Sequence, residues 1–210
     1  MTLKEITNEQ LKEILKKHLA WLNDESGGES ANLSSADLRS ADLRSANLIS
    51  ANLSSADLIS ANLISADLRF ADLSSADLRF ADLSSANLSS ANLSSADLSS
   101  ADLRSADLSS ADLSSADLRF ADLSSADLSS ANLRSADLRF ADLSSADIDF
   151  SAFPLWCGSF GIKVDIRLSA QLAYHFCRLE SDDKDTKKAQ KALKELANKF
   201  HRAEECGKIK

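Results

Sequence analysis

Five cysteine and histidine residues near the C-terminus are the side chains of this sequence that could bind a metal or form a nucleophile. Cys157, His175, Cys177, His201 and Cys206 lie within one 50-residue stretch, and thiolate and imidazole are ligands that zinc prefers. Their spacings, Cys-x17-His-x-Cys and His-x4-Cys, differ from the closely spaced cysteine pairs of structural zinc sites. The pattern favours cysteines that pack as small apolar side chains, with a metal site or a reactive Cys–His pair as the alternatives.

These residues lie in a segment, 151–210, that differs from the rest of the chain. It contains the three cysteines and the one proline, and its charged residues sum to +4. The aromatic run Phe153-Pro154-Leu155-Trp156 is suited to covering the end of the region that precedes it, residues 31–150. Hydrophobic spacing then predicts two helices, at about 167–179 and about 185–205.

The second predicted helix has an amphipathic pattern with many small residues on its apolar face. That face consists of Ala189, Ala192, Leu193, Leu196, Ala197, Phe200 and Ala203. Small side chains allow two helices to approach closely, so the pattern predicts a homodimer formed through the C-terminal helices.

The region before this segment, residues 31–150, is an uninterrupted repeat. From Ala31 to Phe150 the chain consists of 24 pentapeptides of the form Ala-(Asp/Asn)-Leu-x-x. The first place is always Ala, and the third is Leu except at Ile148. The second place is Asp 17 times and Asn seven times, and the last two places are mostly Ser. A Ser-rich disordered tract would have no reason to keep Leu on a fixed period.

A period of five suits neither a straight helix nor a straight strand. Five helical residues advance about 500°, so the leucines would spiral around the helix. On a strand an odd period would place successive leucines on opposite faces. All the Ala and Leu side chains can face inward only if the chain turns a corner in every repeat. Four corners close a square coil of 20 residues, so the repeat predicts a stack of about six coils, roughly 29 Å long, joined like a parallel sheet.

An open stack of coils exposes its end coils, so we expect a structure that covers each end. Thr7-Asn8-Glu9-Gln10 is a capping box, and Leu11, Ile14, Leu15, His18 and Leu22 follow at helical spacing. The pattern predicts a helix from about Asn8 to Leu22 over the first coil, with His18 packed in the core. The predicted organisation is therefore an N-terminal cap (1–30), a coil stack (31–150) and a C-terminal helical segment (151–210).

The A(D/N)LXX pattern resembles the pentapeptide-repeat family. The resemblance implies an all-β solenoid, a right-handed quadrilateral parallel β-helix, which is also the hand that crossover geometry favours. Some members of that family imitate the shape and charge of B-DNA and bind DNA gyrase or topoisomerase IV. The members that protect gyrase typically carry protruding loops, and the unbroken register here predicts none.

Residues 20 apart share a face of neighbouring coils, so the exterior can be sorted into four faces, numbered from the repeats that start at Ala31, Ala36, Ala41 and Ala46. Their formal charges are −1, −2, −3 and −4. Face 2 carries a column of arginines and phenylalanines, the Arg/Phe column: Arg39, Arg79, Arg119, Arg139, Phe80, Phe120 and Phe140. Two interpretations fit this column, a contact surface for a partner or arginines that neutralise the aspartates beside them.

The formal net charge of the chain is −8, so we expect no direct binding to nucleic acid. The absence of a long apolar run predicts no membrane span. The N-terminal residues lack a secretory pattern and the odd cysteine count argues against a disulfide framework, which together predict a cytoplasmic protein. The C-terminal segment resembles the tails of some bacterial pentapeptide-repeat proteins, and this resemblance implies a bacterial protein.

The sequence thus predicts a protein that is not an enzyme and carries no cofactor. We expect a scaffold or protein-interaction module of unknown partner. The alternatives are a DNA mimic that binds gyrase or topoisomerase IV, and metal or thiol chemistry in the C-terminal segment. Repeats this uniform fit either a natural or a designed chain.

Overall fold

The computed structural model describes residues 3–152, 159, 161–178, 181–200, 203 and 208–209, and in two of these, Arg167 and His175, the backbone alone. The chain divides into two compact units, Met1–Lys163 and Val164–Lys210, which we call the coil unit and the helical unit. The predicted aromatic plug at 153–156 lies outside the described residues.

The regular elements are short strands near the N-terminus and three helices. In chain order they are β1 (Lys4–Glu5), α1 (Asn8–Leu22), β2 (Ala36–Asp37), α2 (Ile166–Cys177) and α3 (Lys184–Ala197). None of the helices in the described part of the chain is long and apolar enough to cross a membrane.

The coil unit is built from isolated parallel bridges between residues 20 apart. Each second-place residue pairs with its equivalent four repeats later, from Asn32 with Asn52 to Asn132 with Ala152. The spacing of these bridges confirms the predicted coil of four repeats, and the stack holds six such coils from residue 31 to residue 150.

Three of the five backbone N–H groups of a repeat bond to neighbouring coils. In the repeat 96–100, the second-place amide donates to the preceding coil, whereas the third-place and fifth-place amides donate to the following coil. These bonds are Asp97 N–H to Ala76 O (2.9 Å), Leu98 N–H to Asp117 O (2.7 Å) and Ser100 N–H to Arg119 O (2.9 Å). Neighbouring coils are thus joined by a parallel ladder on every face.

The corner between two repeats is a four-residue turn. The Ala101 N–H donates to the Leu98 carbonyl at 3.0 Å, and the fifth-place residue between them, Ser100, has φ 60°. All 24 fifth-place residues have φ between 54° and 64°. A positive φ at the third residue of a turn is the mark of a type II turn, so the corner repeats with one conformation.

The interior of the coil unit is the Ala and Leu set that the repeat predicts. Third-place side chains are at most 4% exposed throughout the stack. First-place alanines are buried as well, except Ala41 and Ala46 of the first coil, which are partly exposed. Close packing of one methyl and one isobutyl group per repeat therefore forms the core.

Helix α1 has the predicted bounds and the predicted cap. The Thr7 hydroxyl oxygen accepts the Gln10 N–H at 3.2 Å, and the Gln10 side-chain oxygen accepts the Thr7 N–H at 2.9 Å. Before this helix, β1 pairs in parallel with β2, Lys4 opposite Ala36. The N-terminal segment thus supplies one extra strand to face 2 and a helix beside the first coil.

His18 attaches α1 to the first coil. Its side chain is 0% exposed, its Nδ1 accepts the Ala31 N–H at 3.0 Å, and its ring stacks on Trp21. Within the described residues Nε2 has no hydrogen bond of ordinary geometry. Burial lowers the pKa of His18, partly opposed by the backbone carbonyl of Ile49, so the neutral imidazole is the form that fits this site. The predicted core role of His18 is confirmed.

The coil pattern continues past the last repeat in a modified form. Ala152 pairs with Asn132 at the usual spacing of 20, but Lys163 pairs with Asp142 at a spacing of 21. Gly161, between them, has φ +70°, and an added Cβ would lie 2.7 Å from the ring of Phe140. The close approach of this ring explains why the position requires glycine.

The helical unit has its own small core. Buried side chains from α2, from α3 and from the residues after α3 pack together: Ala170, Ala173, Tyr174, Ala197, Phe200 and Ala203. The Asp183 carboxylate caps α3 by accepting the Thr186 N–H at 2.7 Å.

Helix α3 ends before the predicted residue 205. Its last residue is Ala197, and the side-chain amide of the following residue, Asn198, bonds in both directions with the backbone of Ile209. The Asn198 N–H still bonds to the Lys194 carbonyl, four residues back, whereas the N–H groups of Lys199 and Phe200 bond three residues back. The prediction of one continuous helix is therefore wrong at 198–200, where the chain tightens into turns, while Ala203 within the predicted range is again helical.

Candidate interaction surface

The second-place Asp or Asn has a structural role. The fourth-place N–H has no carbonyl partner in the ladder, and the side-chain oxygen of the second-place residue accepts it instead. Asp107 accepts the Ser109 N–H at 3.0 Å, and Asn92 accepts the Ser94 N–H at 3.1 Å. Asp and Asn both supply this acceptor, so the acidic surface follows in the first place from the needs of the turn.

Fourth-place arginines pair with the aspartates of their own repeat. Arg39 donates from Nε and an Nη to the two carboxylate oxygens of Asp37, and its Nε lies 3.7 Å from Asp57 in the next coil. The hydrogen bond from the Arg39 side chain is the main reason that the pKa of Asp37 falls to about 2. The neutralising role considered for these arginines accounts for their contacts.

The Arg/Phe column repeats this pairing along face 2. Arg79, Arg119 and Arg139 each contact the aspartate two residues before. The phenylalanines that follow these arginines remain exposed: Phe80 by 62%, Phe120 by 59% and Phe140 by 49%. The column is thus a ladder of paired charges beside a ladder of accessible rings.

The conformation of these phenylalanines is costly. Phe80, Phe120 and Phe140 have φ of 59°, 61° and 64°, in a region that bulky residues rarely occupy. Serine fills most of the equivalent places with the same φ. Neither burial nor backbone preference therefore favours phenylalanine at these corners.

Face 4 differs from face 2 in charge balance. Its aspartates at Asp107, Asp127 and Asp147 have no ion pair among the residues that the structure describes, whereas Asp67 pairs with Arg69 at 2.7 Å. It carries two exposed phenylalanines, Phe70 and Phe150, eighty residues apart. Face 4 is therefore the more acidic surface and lacks a continuous ring ladder.

Of the five predicted Cys and His candidates, only Cys177 has a described side chain. It is partly buried, and its thiol donates to the Gln190 carbonyl oxygen at 3.4 Å. Burial raises the pKa of Cys177, which disfavours the thiolate that metal binding or nucleophilic attack needs. His175 belongs to α2, and the remaining three residues lie outside the described ranges: Cys157, His201 and Cys206. Among the described side chains, no group of three metal-ligating residues converges.

A surface cleft of about 340 Å³ lies beside α1 in the coil unit, at a place where the sequence predicts no binding site. Ile6, Ile14, Lys4 and Glu13 are among its lining residues, and Lys17 pairs with Glu29 at 3.0 Å. Its charges are balanced and its walls mix polar with apolar groups, so it shows no preference for one ligand class.

Comparison with known proteins identifies the same repeat in residues 31–149. The family model described as pentapeptide repeats matches in eight copies, with residues 31–69, 51–89, 71–110, 81–119 and 111–149. No curated protein matches the chain.

Several solved structures are similar to parts of it. HetL of Nostoc sp. strain PCC 7120, a pentapeptide repeat protein involved in heterocyst differentiation regulation, is 29% identical over 66% of this chain and 78% of its own, with a TM-score of 0.43. The Nostoc pentapeptide repeat protein alr5209 is 29% identical over 79% and 100%, with a TM-score of 0.32. A trypsin-treated QnrB1, a plasmid-mediated fluoroquinolone resistance protein, is 17% identical over 67% and 85%, with a TM-score of 0.33.

Proposed function

The chain belongs to the pentapeptide-repeat family, and from that premise we propose that it is a non-catalytic interaction module that binds another protein through the Arg/Phe column. Proteins of this family form right-handed β-helix solenoids and are in general structural or interaction proteins rather than enzymes.

The observation that carries this proposal is the exposure of three phenylalanines on one face, in a backbone region that disfavours them. First, second and third places are required by the coil itself, since they supply the core and the acceptor for the turn. Specific recognition is therefore left to the fourth and fifth places. On face 2 these places carry an arginine followed by a phenylalanine in three of the six coils, whereas face 4 has one such pair, Arg69 and Phe70.

The column has the chemistry of a protein interface. Aromatic and arginine side chains are enriched at such surfaces. The arginines are held in place by bidentate contacts to aspartate, as in Arg119 with Asp117, so little side-chain freedom is lost on binding. A partner would cover the rings and contact the outer edges of these ion pairs.

The experiment compares capture of partner proteins by the full chain and by two variants. Phe80→Ser/Phe120→Ser/Phe140→Ser removes the rings, and Phe70→Ser removes one ring from face 4. Serine already occupies most fifth places at the same φ, so both variants should fold. We expect partners that bind the wild type and the Phe70 variant to be lost from the triple variant. Equal capture by all three proteins would contradict the proposal.

The DNA-mimic alternative depends on face 4. The run of aspartates without arginine at Asp107, Asp127 and Asp147 is the feature of the structure that favours it, since DNA carries regularly spaced negative charge. A gyrase supercoiling assay with the chain in micromolar excess tests this function. Inhibition that disappears on changing these three aspartates to asparagine would support the DNA-mimic function. The absence of inhibition would contradict it.

The metal and thiol alternatives and the cytoplasmic location remain predictions from the sequence. Elemental analysis of the purified chain and titration of its thiols with a disulfide reagent test the first two. Bound zinc or a rapidly reacting thiol would support them.

A further inference from the structure

The fifth-place side chains of face 2 form a patterned ladder. From the first coil to the sixth they are Ser40, Ser60, Phe80, Ser100, Phe120 and Phe140. Coils are separated by about 4.8 Å, the distance between strands of a sheet. The rings of Phe120 and Phe140 lie 5.1 Å apart and within 11° of parallel, so phenylalanines in successive coils stack at the rise of the solenoid.

Ser100 interrupts this stack and leaves a slot. Phe80 and Phe120 are two coils apart, about 10 Å, and the residue between them has only a hydroxymethyl side chain. Two stacking distances fit into that gap, so it has room for one additional aromatic ring between the rings of Phe80 and Phe120. A ring placed there would contact an aromatic face on each side.

The pattern of the ladder identifies what fills the slot. Read from the first coil it is Ser, Ser, Phe, Ser, Phe, Phe, and read from the last coil it is Phe, Phe, Ser, Phe, Ser, Ser. When two ladders are aligned in opposite directions, coil for coil, every phenylalanine of one faces a serine of the other. A two-fold axis produces this arrangement, in which the same patch is used on both molecules.

We propose that two copies of this chain pair in antiparallel fashion along face 2, each inserting Phe80 into the slot at Ser100 of the other. The other two rings of each copy, Phe120 and Phe140, then face Ser60 and Ser40. This inference rests on the proposed function, because it names a second copy of the chain as an occupant of the Arg/Phe column.

The charges beside the slot are paired, and the formal charge of −2 on face 2 adds only a modest, salt-dependent repulsion between the two copies. Arg79 keeps its contact with Asp77 at 2.6 Å, so the insertion of a ring buries no unpaired charge beside the slot. Each aromatic side chain can bury on the order of 200 Å², and these are already half-buried. Six such rings bury about 600 Å², less than the roughly 1,200 Å² of stable interfaces. The pairing therefore corresponds to a weak, reversible dimer whose population depends on concentration.

Sedimentation velocity of the full-length chain across a micromolar dilution series tests the dimer. We expect Phe80→Ser to raise the dissociation constant by about tenfold or more, because each dimer loses two inserted rings. Phe70→Ser is the matched control: the same substitution, at the same φ and with the same exposure of 62%, but on face 4.

A second variant separates the slot from general hydrophobic attraction. Ser100→Phe fills the slot from within its own chain. It should weaken the dimer by a similar factor, although it adds apolar surface. The double variant F80S/S100F gives the ladder Ser, Ser, Ser, Phe, Phe, Phe, in which every ring again faces a serine, so it should recover part of the affinity. Circular dichroism of each variant checks the coil.

Several outcomes overturn the inference. Stronger association of Ser100→Phe would show nonspecific attraction between rings. Equal dimerisation of the Phe80 and Phe70 variants would place the contact elsewhere, as in the C-terminal helices. A monomer at every concentration would also exclude the pairing. If capture of another protein still requires the Phe ladder in that case, the proposed function stands without it.

Discussion

The coil unit and the helical unit obtain their stability in opposite ways. In the coil unit every repeat buries the same two side chains and makes the same backbone bonds, so Leu98 in the middle has the same surroundings as Leu78 or Leu118. In the helical unit a few unlike side chains form one core, among them Tyr174 and Phe200, whose rings lie 5.1 Å apart.

The difference shows where each unit can vary. A solenoid distributes its stability over nearest neighbours, and here the core and the side-chain acceptor of the turn require particular residue types at three of the five places. Variation on the surface of the coil unit is therefore confined to the fourth and fifth places. The helical unit sets its requirements by individual contacts, so its core positions, and polar positions such as Asp183 and Asn198, are each unique.

The largest effect is expected from a cavity in the middle of the stack. Leu98→Ala should lower the free energy of unfolding by about 2–5 kcal/mol, because Leu98 is fully buried between coils that cannot collapse onto the space. Urea unfolding followed by far-ultraviolet circular dichroism measures it. Leu196→Ala, at a partly buried position of the helical unit, should cost less. An equal loss of unfolding free energy at both sites would contradict the difference between the two units.

The next effect concerns aspartates that accept backbone N–H groups in the two units. Asp107→Ala should cost about 1–3 kcal/mol, because the N–H of Ser109 loses its acceptor. Asp183→Ala removes the cap of α3 and should cost about 1 kcal/mol. Asp107→Asn keeps the acceptor and is the control. If it destabilises the fold as much as alanine does, the charge rather than the turn explains the second place.

A smaller effect is expected at the corners. Ser105 has φ 56°, so Ser105→Val should destabilise the coil unit by about 1–2 kcal/mol, whereas Ser105→Gly should be neutral or stabilising. The control is Ser114→Val at a fourth place, where Ile59 and Ile64 show that branched side chains fit. Thermal unfolding compares the three, and equal costs for the two valine variants would contradict the role of φ.

The smallest effect is the pH dependence at His18. Because burial lowers its pKa in the folded protein, the unfolded chain takes up a proton first as the pH falls below about 6.5, and stability decreases with it. We expect His18→Gln, which retains an acceptor for the Ala31 N–H, to reduce this dependence in denaturant melts between neutral and mildly acidic pH. An unchanged pH profile would show that His18 is not its source.

Much of the coil unit could be predicted because the same pattern of Ala, Asp or Asn, and Leu (Ile once) occurs in all 24 repeats. The capping box at Thr7 and Gln10 and the bounds of α1 follow from short-range chemistry and are confirmed. The interruption of the predicted helix after Ala197 was missed, since the contact of Asn198 with Ile209 joins residues that are distant in sequence. The role of Gly161 was missed for the same reason, as its neighbour is the ring of Phe140.

The amino-acid sequence alone determined the period, the coil of 20 residues and the membership of each face, because inward-facing Ala and Leu at intervals of five leave one way to hide them all. Only the tertiary structure decided which acceptor the fourth-place N–H finds, that φ is positive at every corner, and that the rings at Phe120 and Phe140 stack. These features depend on the distance between coils and on the direction of the backbone N–H groups at each corner. Both are set only when the coils have formed and stacked.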